Sequence, residues 1–260
     1  TCSRNQAGKR RSSDALSGAS TSTSMTGLSV TRASLPLDDE GAIRDLIDHL
    51  GHDLDPSILI GGWATFELVG GEISKDIDLI IASPEVRAKV QERVRELSIS
   101  RHLGGEKWRG KIDGIHIDIY LPHLSELGEA LRLRVEVLAE YTEPGRHKGW
   151  KLLTIEAHTI SKMAALLDRP DTEKGEKDAG ELIRLLDRGV DAPLACRILA
   201  EATAGDRSLI PKYMDRVFRL VAERGGANRE RRRELDRMRR VWVDAAELSI
   251  APERARPPLD

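Results

Sequence analysis

The chain has 260 residues, of which 40% are hydrophobic and 32% charged, enough for one large domain or two small ones with a sizeable core. Its 41 Lys and Arg against 43 Asp and Glu leave a net charge of −2, which excludes a bulk polycation that coats nucleic acid. Aromatic residues make up only 3%, which argues against a stacking platform for single-stranded bases.

Residues 1–36 read as a disordered tail. They are rich in Ser, Thr, Gly and Ala, with Arg4, Lys9, Arg10, Arg11 and Arg32 against Asp14. They hold no apolar stretch of the kind a secretory signal needs. Ile43, Leu46, Ile47 and Leu50 then recur at helical spacing over 37–50. Ile58, Leu59 and Ile60 form a short buried strand that ends at Gly61-Gly62. A short helix is expected over 63–69, and Gly70-Gly71 breaks it. The segment 76–82 reads as a strand, and Pro84 opens a helix expected to reach about Leu97.

Asp113-Gly114 between two apolar alternations predicts a hairpin of 107–112 and 115–121. Short strands are expected over 134–139 and 150–153. From Ile155 the pattern is helical: about 155–168, 176–188, 191–203, 208–224 and 228–247. The last ten residues, with Pro252, Pro257 and Pro258, are expected to be loose.

The two cysteines, Cys2 and Cys196, show no metal-ligand spacing and suggest no disulfide scaffold. No apolar run is long enough to span a membrane. Together these point to a cytoplasmic protein without membrane contact.

Asp76 and Asp78 lie two apart in an apolar alternation, so on a strand both carboxylates leave one face. Asp118 shares a face with His116 and Tyr120 in a second alternating strand. Two like charges 4 Å apart repel by about 4 kcal/mol at an effective dielectric of 20. A hard dication such as Mg²⁺ or Mn²⁺ removes that cost, and three carboxylates from two strands suit two metals and in-line phosphoryl transfer. Asp-x-Asp alone more often marks a solvated strand face. Here it follows a strand, two glycines and a helix N-terminus, where backbone amides attract phosphate.

Ile60-Gly61-Gly62, a spacer, Asp76-Ile77-Asp78-Leu79 and the later Asp118 resemble the DNA polymerase beta-type nucleotidyltransferase superfamily. By that resemblance Gly61 and Gly62 cradle an NTP, Asp76 and Asp78 hold the metals, and Asp118 holds the second metal and helps activate the attacking hydroxyl. The chain looks most like the AbiEii/MenT toxin nucleotidyltransferases, which have Ser or Thr two residues before the first Asp, here Ser74. They also carry a Lys helix and a later Lys-Asp pair, matched by Lys162 in Lys162-Met163-Ala164-Ala165-Leu166-Leu167-Asp168-Arg169 and by Lys177-Asp178. The resemblance implies that Lys162 contacts the triphosphate and that Asp178 belongs to the site. Many relatives have Arg where this chain has Glu72. Lys75 is the candidate for the missing charge, although on a strand it points away from the aspartates.

Other features are less specific. From its residues alone Lys162 is a solvated lysine, with His158 one turn earlier on the same side. His116 is a neighbour of Asp118 or an idle strand-edge histidine. The last helix has a basic outer face, more often a solvated surface than an RNA track.

The expected fold is α/β: a small mixed β-sheet flanked by helices, as a nucleotidyltransferase core over 37–154, then a helical C-terminal domain over 155–250. The expected activity is metal-dependent transfer of an NMP from an NTP to an acceptor hydroxyl. The resemblance implies a tRNA 3′ end as acceptor and an antitoxin as partner. The rivals are a small-molecule transferase, because Gly61-Gly62-Trp63-Ala64 also resembles the start of aminoglycoside and lincosamide nucleotidyltransferases, and a degenerate nucleotide-binding module.

Overall fold

The computed structural model describes residues 39–53, 57–102, 105–145 and 150–251. The expected tail over 1–36 and the loose end from Pro252 lie outside them. The described residues belong to one compact unit.

Helix α1 (Asp39–Asp53) buries Ile43, Leu46, Ile47 and Leu50, the predicted stripe. Strand β1 (Ile58–Ile60) is fully buried and leads into α2 (Gly61–Val69), which begins at the glycines rather than after them. Strand β2 (Ile77–Ile80) starts one residue later than expected, so Asp76 sits in the bend before it. Helix α3 (Pro84–Arg93) is capped by Ser83, whose hydroxyl accepts from the Val86 amide at 3.3 Å.

The expectation that α3 reaches Leu97 is corrected. The chain turns extended at Val94, Glu96 takes φ +53°, and β3 (Arg95–His102) follows. Strands β4 (Gly105–Ile112) and β5 (Ile115–Leu127) form the predicted hairpin. Asp113 and Gly114 both take positive φ, 50° and 86°, as its tight turn requires.

A strand was expected over 134–139. Only β6 (Leu133–Arg134) is extended, and α4 (Val135–Leu138) follows, because Val135 and Leu138 reach the core at helical rather than strand spacing. Strand β7 (Thr142–Pro144), which the sequence did not signal, pairs with β8 (Lys151–Leu153).

The helical half comprises α5 (Ile155–Asp168), α6 (Glu173–Asp187), α7 (Ala192–Ala202), α8 (Ile210–Arg224) and α9 (Arg229–Ile250). Thr154, Thr172, Asp191 and Asn228 cap α5, α6, α7 and α9 through their side chains.

The sheet order is β3-β4-β5-β2-β1-β8-β7, with β6 on the far end of β5. It is mixed: β2 runs parallel to β5 and β1 parallel to β8, and the other pairs are antiparallel. One face, with Leu59, Ile77, Leu79, Ile117 and Ile119, packs with α1 and α3. The other, with Ile58, Ile60 and Ile80, packs with the helical half. Strand alternation therefore sends Asp78, two residues from Ile80, toward the helical side. Among the described residues no helix is long and apolar enough to cross a membrane.

Candidate active site

The site starts where β1 hands over to α2. Gly61 has φ +69°, and a Cβ there would fall on the Asp78 carboxylate. At Gly62 a Cβ would lie 2.6 Å from the Ser74 Cβ. Both positions need glycine because β2 and its approach press against the helix start. Residue Ile60 at the N-cap offers no side-chain acceptor, and the first turn holds no acidic residue. The α2 amides are thus free of a side-chain cap, and the helix dipole adds positive potential there.

The register Asp78↔Asp118 on parallel β2 and β5 places the two carboxylates side by side. The Asp78 carboxyl is pushed up to about 6, chiefly by burial, with Asp118 and Asp76 raising it and Lys107 and Lys162 holding it down. Among the described residues it has no ion-pair partner. Asp118 has two: Lys107 Nζ at 2.5 Å and Arg109 Nε at 3.3 Å, both from β4. Asp76 meets Lys174 Nζ of α6 at 3.5 Å.

Asp76 and Asp118 are engaged by cations from different elements, α6 and β4. No group of three or more His, Cys, Asp or Glu among the described residues is gathered closely enough to hold a metal ion. The reason is local. Asp76 lies before the strand and reaches toward α6, and Asp118 is drawn to the cations of β4.

Ser74 stands outside β2. It lies in the approach to β2, and its hydroxyl accepts from the Asp76 amide at 3.4 Å. Lys75 is exposed in the bend. The cations near this loop come instead from α6, with Lys177 4.0 Å from Glu72 besides Lys174 at Asp76.

Beneath lies a buried polar layer. Lys162 is 6% exposed, not a solvated lysine, because α5 is sandwiched between the sheet and the other helices. Its ammonium lies 2.5 Å from Glu181 and 3.3 Å from Asp178. Sequence reasoning brought Lys162 and Asp178 together but missed Glu181, one turn beyond Asp178 on α6. The Lys-Asp-x-x-Glu spacing was the available signal.

Arg169 donates to the other Asp178 oxygen at 2.8 Å, and Asp168 accepts from the Glu129 and Ala130 amides. His158 Nε2 lies 2.8 Å from the Thr65 hydroxyl of α2, which is itself 3.5 Å from Glu181 Oε2. Burial, then the Lys162 charge, lowers the His158 pKa to about 3 and keeps the ring neutral. Lys107 also donates to the Tyr120 hydroxyl at 2.7 Å, and burial followed by Asp78 and Asp118 raises that phenol well above its usual pKa.

No protein-family model matches the chain, and no curated protein matches it by sequence. Several solved structures superpose on it, among them the following two. One is ANT(2")-Ia in complex with adenylyl-2"-tobramycin, with a TM-score of 0.41, 16% identity, and coverage of 62% of this chain and 94% of that one. The other is an antigenic nucleotidyltransferase-like protein from Paracoccidioides brasiliensis, with a TM-score of 0.35, 13% identity, and coverage of 58% and 77%. Both are loose superpositions.

Proposed function

We propose that this chain is a metal-dependent nucleotidyltransferase that moves an NMP from an NTP to an acceptor hydroxyl. The observation that carries the reading is the meeting of Gly61, Asp78 and Asp118. An uncapped helix start suited to phosphate lies against a desolvated carboxylate, with a second carboxylate in register beside it.

The α2 amides at Gly61 and Gly62 hold the triphosphate, with Ser74 at their edge. Asp76 and Asp78 fit a hard dication, since both offer carboxylate oxygen and Asp78 is desolvated without an ion-pair partner among the described residues. Mg²⁺ or Mn²⁺ bound there supplies charge neutralisation at the transferred phosphoryl group. Asp118 orients the acceptor hydroxyl. Its oxygen bonds to the α-phosphorus, the bond from that phosphorus to the pyrophosphate leaving group breaks, and the hydroxyl proton passes to Asp118 or water. Lys162 and Asp178 brace α5 against α6 below Asp78.

The acceptor we infer is an RNA 3′ end, with tRNA the class implied by the sequence resemblance. The supporting observation is the basic face of α9, since the β4 cations are already paired, Lys107 and Arg109 with Asp118 and Lys111 with Glu96. On α9, Arg229, Arg233 and Arg237 recur every fourth residue on an exposed face without an ion pair among the described residues, whereas Arg231 and Arg239 are neutralised by Glu234, Asp187, Asp215 and Asp236.

The test is incubation with each α-³²P-labelled NTP, Mg²⁺ or Mn²⁺, and tRNA or an aminoglycoside panel. Label on tRNA from the parent protein and none from Asp78→Asn supports the reading. Label on an aminoglycoside moves the activity to the small-molecule class. NTP binding without transfer marks a nucleotide-binding module. Co-expression with a neighbouring reading frame that restores growth would identify an antitoxin.

A further inference from the structure

Resting on the nucleotidyltransferase reading, we propose that Lys107 takes the place of a second divalent cation at Asp118, so that the site binds one dication, on Asp76 and Asp78. The three carboxylates differ in how firmly they are already neutralised. Asp118 is engaged on both oxygens, Oδ2 by Lys107 at 2.5 Å and Oδ1 by Arg109 at 3.3 Å. Both cations come from β4, the hydrogen-bonded neighbour of β5, with Arg109 directly opposite Asp118 and Lys107 opposite Tyr120.

Residues opposite each other on antiparallel strands share a face, so the backbone itself delivers these charges to Asp118. Lys107 is further held by the Tyr120 hydroxyl at 2.7 Å and lies 4.6 Å from the centre of the Tyr120 ring. Its side chain is only 21% exposed. An ammonium fixed in this way cannot step aside for a dication without leaving three favourable contacts.

Asp76 and Asp78 are different. Among the described residues Asp76 makes one ion pair, with Lys174, a single contact at 3.5 Å from a side chain 69% exposed on a flexible stem. Asp78 has none among the described residues. Asp76 and Asp78 would therefore hold the dication, with the Lys174 contact given up in exchange. At Asp118 it would meet the held ammonium of Lys107, with the more exposed Arg109 guanidinium beside it. Lys107 is a positioning residue in this scheme: it acts through Asp118, balancing the charge of that carboxylate and keeping it aimed without a metal.

The experiment counts bound Mn²⁺ by electron paramagnetic resonance on the full chain, with Mn²⁺ alone and with each α,β-methylene ribonucleoside triphosphate. Circular dichroism checks the fold of each variant. The parent protein should hold one Mn²⁺ per chain. Lys107→Met, or Lys107→Gln if the first fails to fold, should rise to two. Lys107→Arg should stay at one. Lys107→Met/Asp118→Asn should return to one, which assigns the gained ion to Asp118. Two Mn²⁺ in the parent protein, or one in Lys107→Met, overturns the proposal and leaves the nucleotidyltransferase reading standing. No Mn²⁺ in the parent with or without any nucleotide overturns both.

Discussion

Replacing Lys162 by Met tests whether the buried layer under the site holds the fold together. Lys162 is the cation at 2.5 Å from Glu181, whose side chain is fully buried, and at 3.3 Å from Asp178, which is 3% exposed. Methionine fills much of the same volume, so the change removes charge more than packing. Asp178 keeps Arg169, at 2.7 Å. Among the described residues Glu181 keeps only the distant Thr65 hydroxyl, and its Oε1 already lacks a hydrogen-bond partner there.

Stranding one member of a buried pair costs about 3–5 kcal/mol. For a chain of this size that corresponds to a fall in Tm of about 6–20 °C. Differential scanning fluorimetry in parallel with urea unfolding measures it. Lys162→Met/Glu181→Leu removes both charges and should recover most of the loss. A variant Lys162→Met that melts within about 2 °C of the parent would refute the argument, since 1 kcal/mol alone moves Tm by that much. If stability is untouched and the KM for NTP rises instead, Lys162 is a triphosphate contact and not a brace.

His158 should make stability pH-dependent. Its folded pKa of about 3 lies below the ordinary 6.5, so stability is full above 6.5 and falls as pH drops toward 3. The loss relative to His158→Gln should reach about 2 kcal/mol at pH 5, read from urea curves at pH 7.5 and 5. Gly61→Ala should weaken nucleotide binding at least about tenfold, a cost of about 1.4 kcal/mol, because its methyl falls on Asp78; calorimetry with parent-like affinity would contradict the close approach. Asp78→Asn should abolish transfer while its Tm in chelator holds or rises, because a desolvated charge is removed; near-normal turnover would break the site assignment. Ser74→Glu should weaken NTP binding strongly and Ser74→Ala only modestly, since a negative charge there sits against Gly62 at the helix start; unchanged affinity in Ser74→Glu would leave Ser74 a turn residue only.

Much of the centre was legible because it depends on local rules. Gly61-Gly62 after an apolar run, Asp78 and Asp118 in clean alternations, and Asp113-Gly114 between two strands each carry their geometry in a few residues. What escaped depends on neighbours. Strand β3 looked like the end of α3 because its residues are mostly polar and no glycine stops the helix; pairing with β4 makes it a strand. The burial of Lys162 follows from the covering of α5 on nearly every side, which an apolar stripe cannot reveal. Glu181 is an ordinary acidic residue on an amphipathic helix until Lys162 and Thr65 are packed against it. The two cations on Asp118 needed the strand register, although Lys107 and Arg109 stood in plain alternation.

Parallel pairing of β2 and β5 also bears on how the chain is made. Parallel neighbours cannot be joined by a tight turn, so β2 must wait through α3, β3 and β4 before its partner exists. The β4–β5 hairpin closes early because its turn is two residues long, whereas the apposition of Asp78 and Asp118 spans a long loop and closes late. Strand β1 waits longer still, since its parallel neighbour β8 follows all of these. During synthesis, then, the apolar residues of β1 and β2 stand with an open edge while their partners are still being made, the interval in which a nascent chain is most prone to pair with the wrong strand. A chain cut short before Lys151 carries Asp76, Asp78 and Asp118 yet leaves β1 unpaired on one side. Such a fragment is an aggregation hazard before it is a weak enzyme.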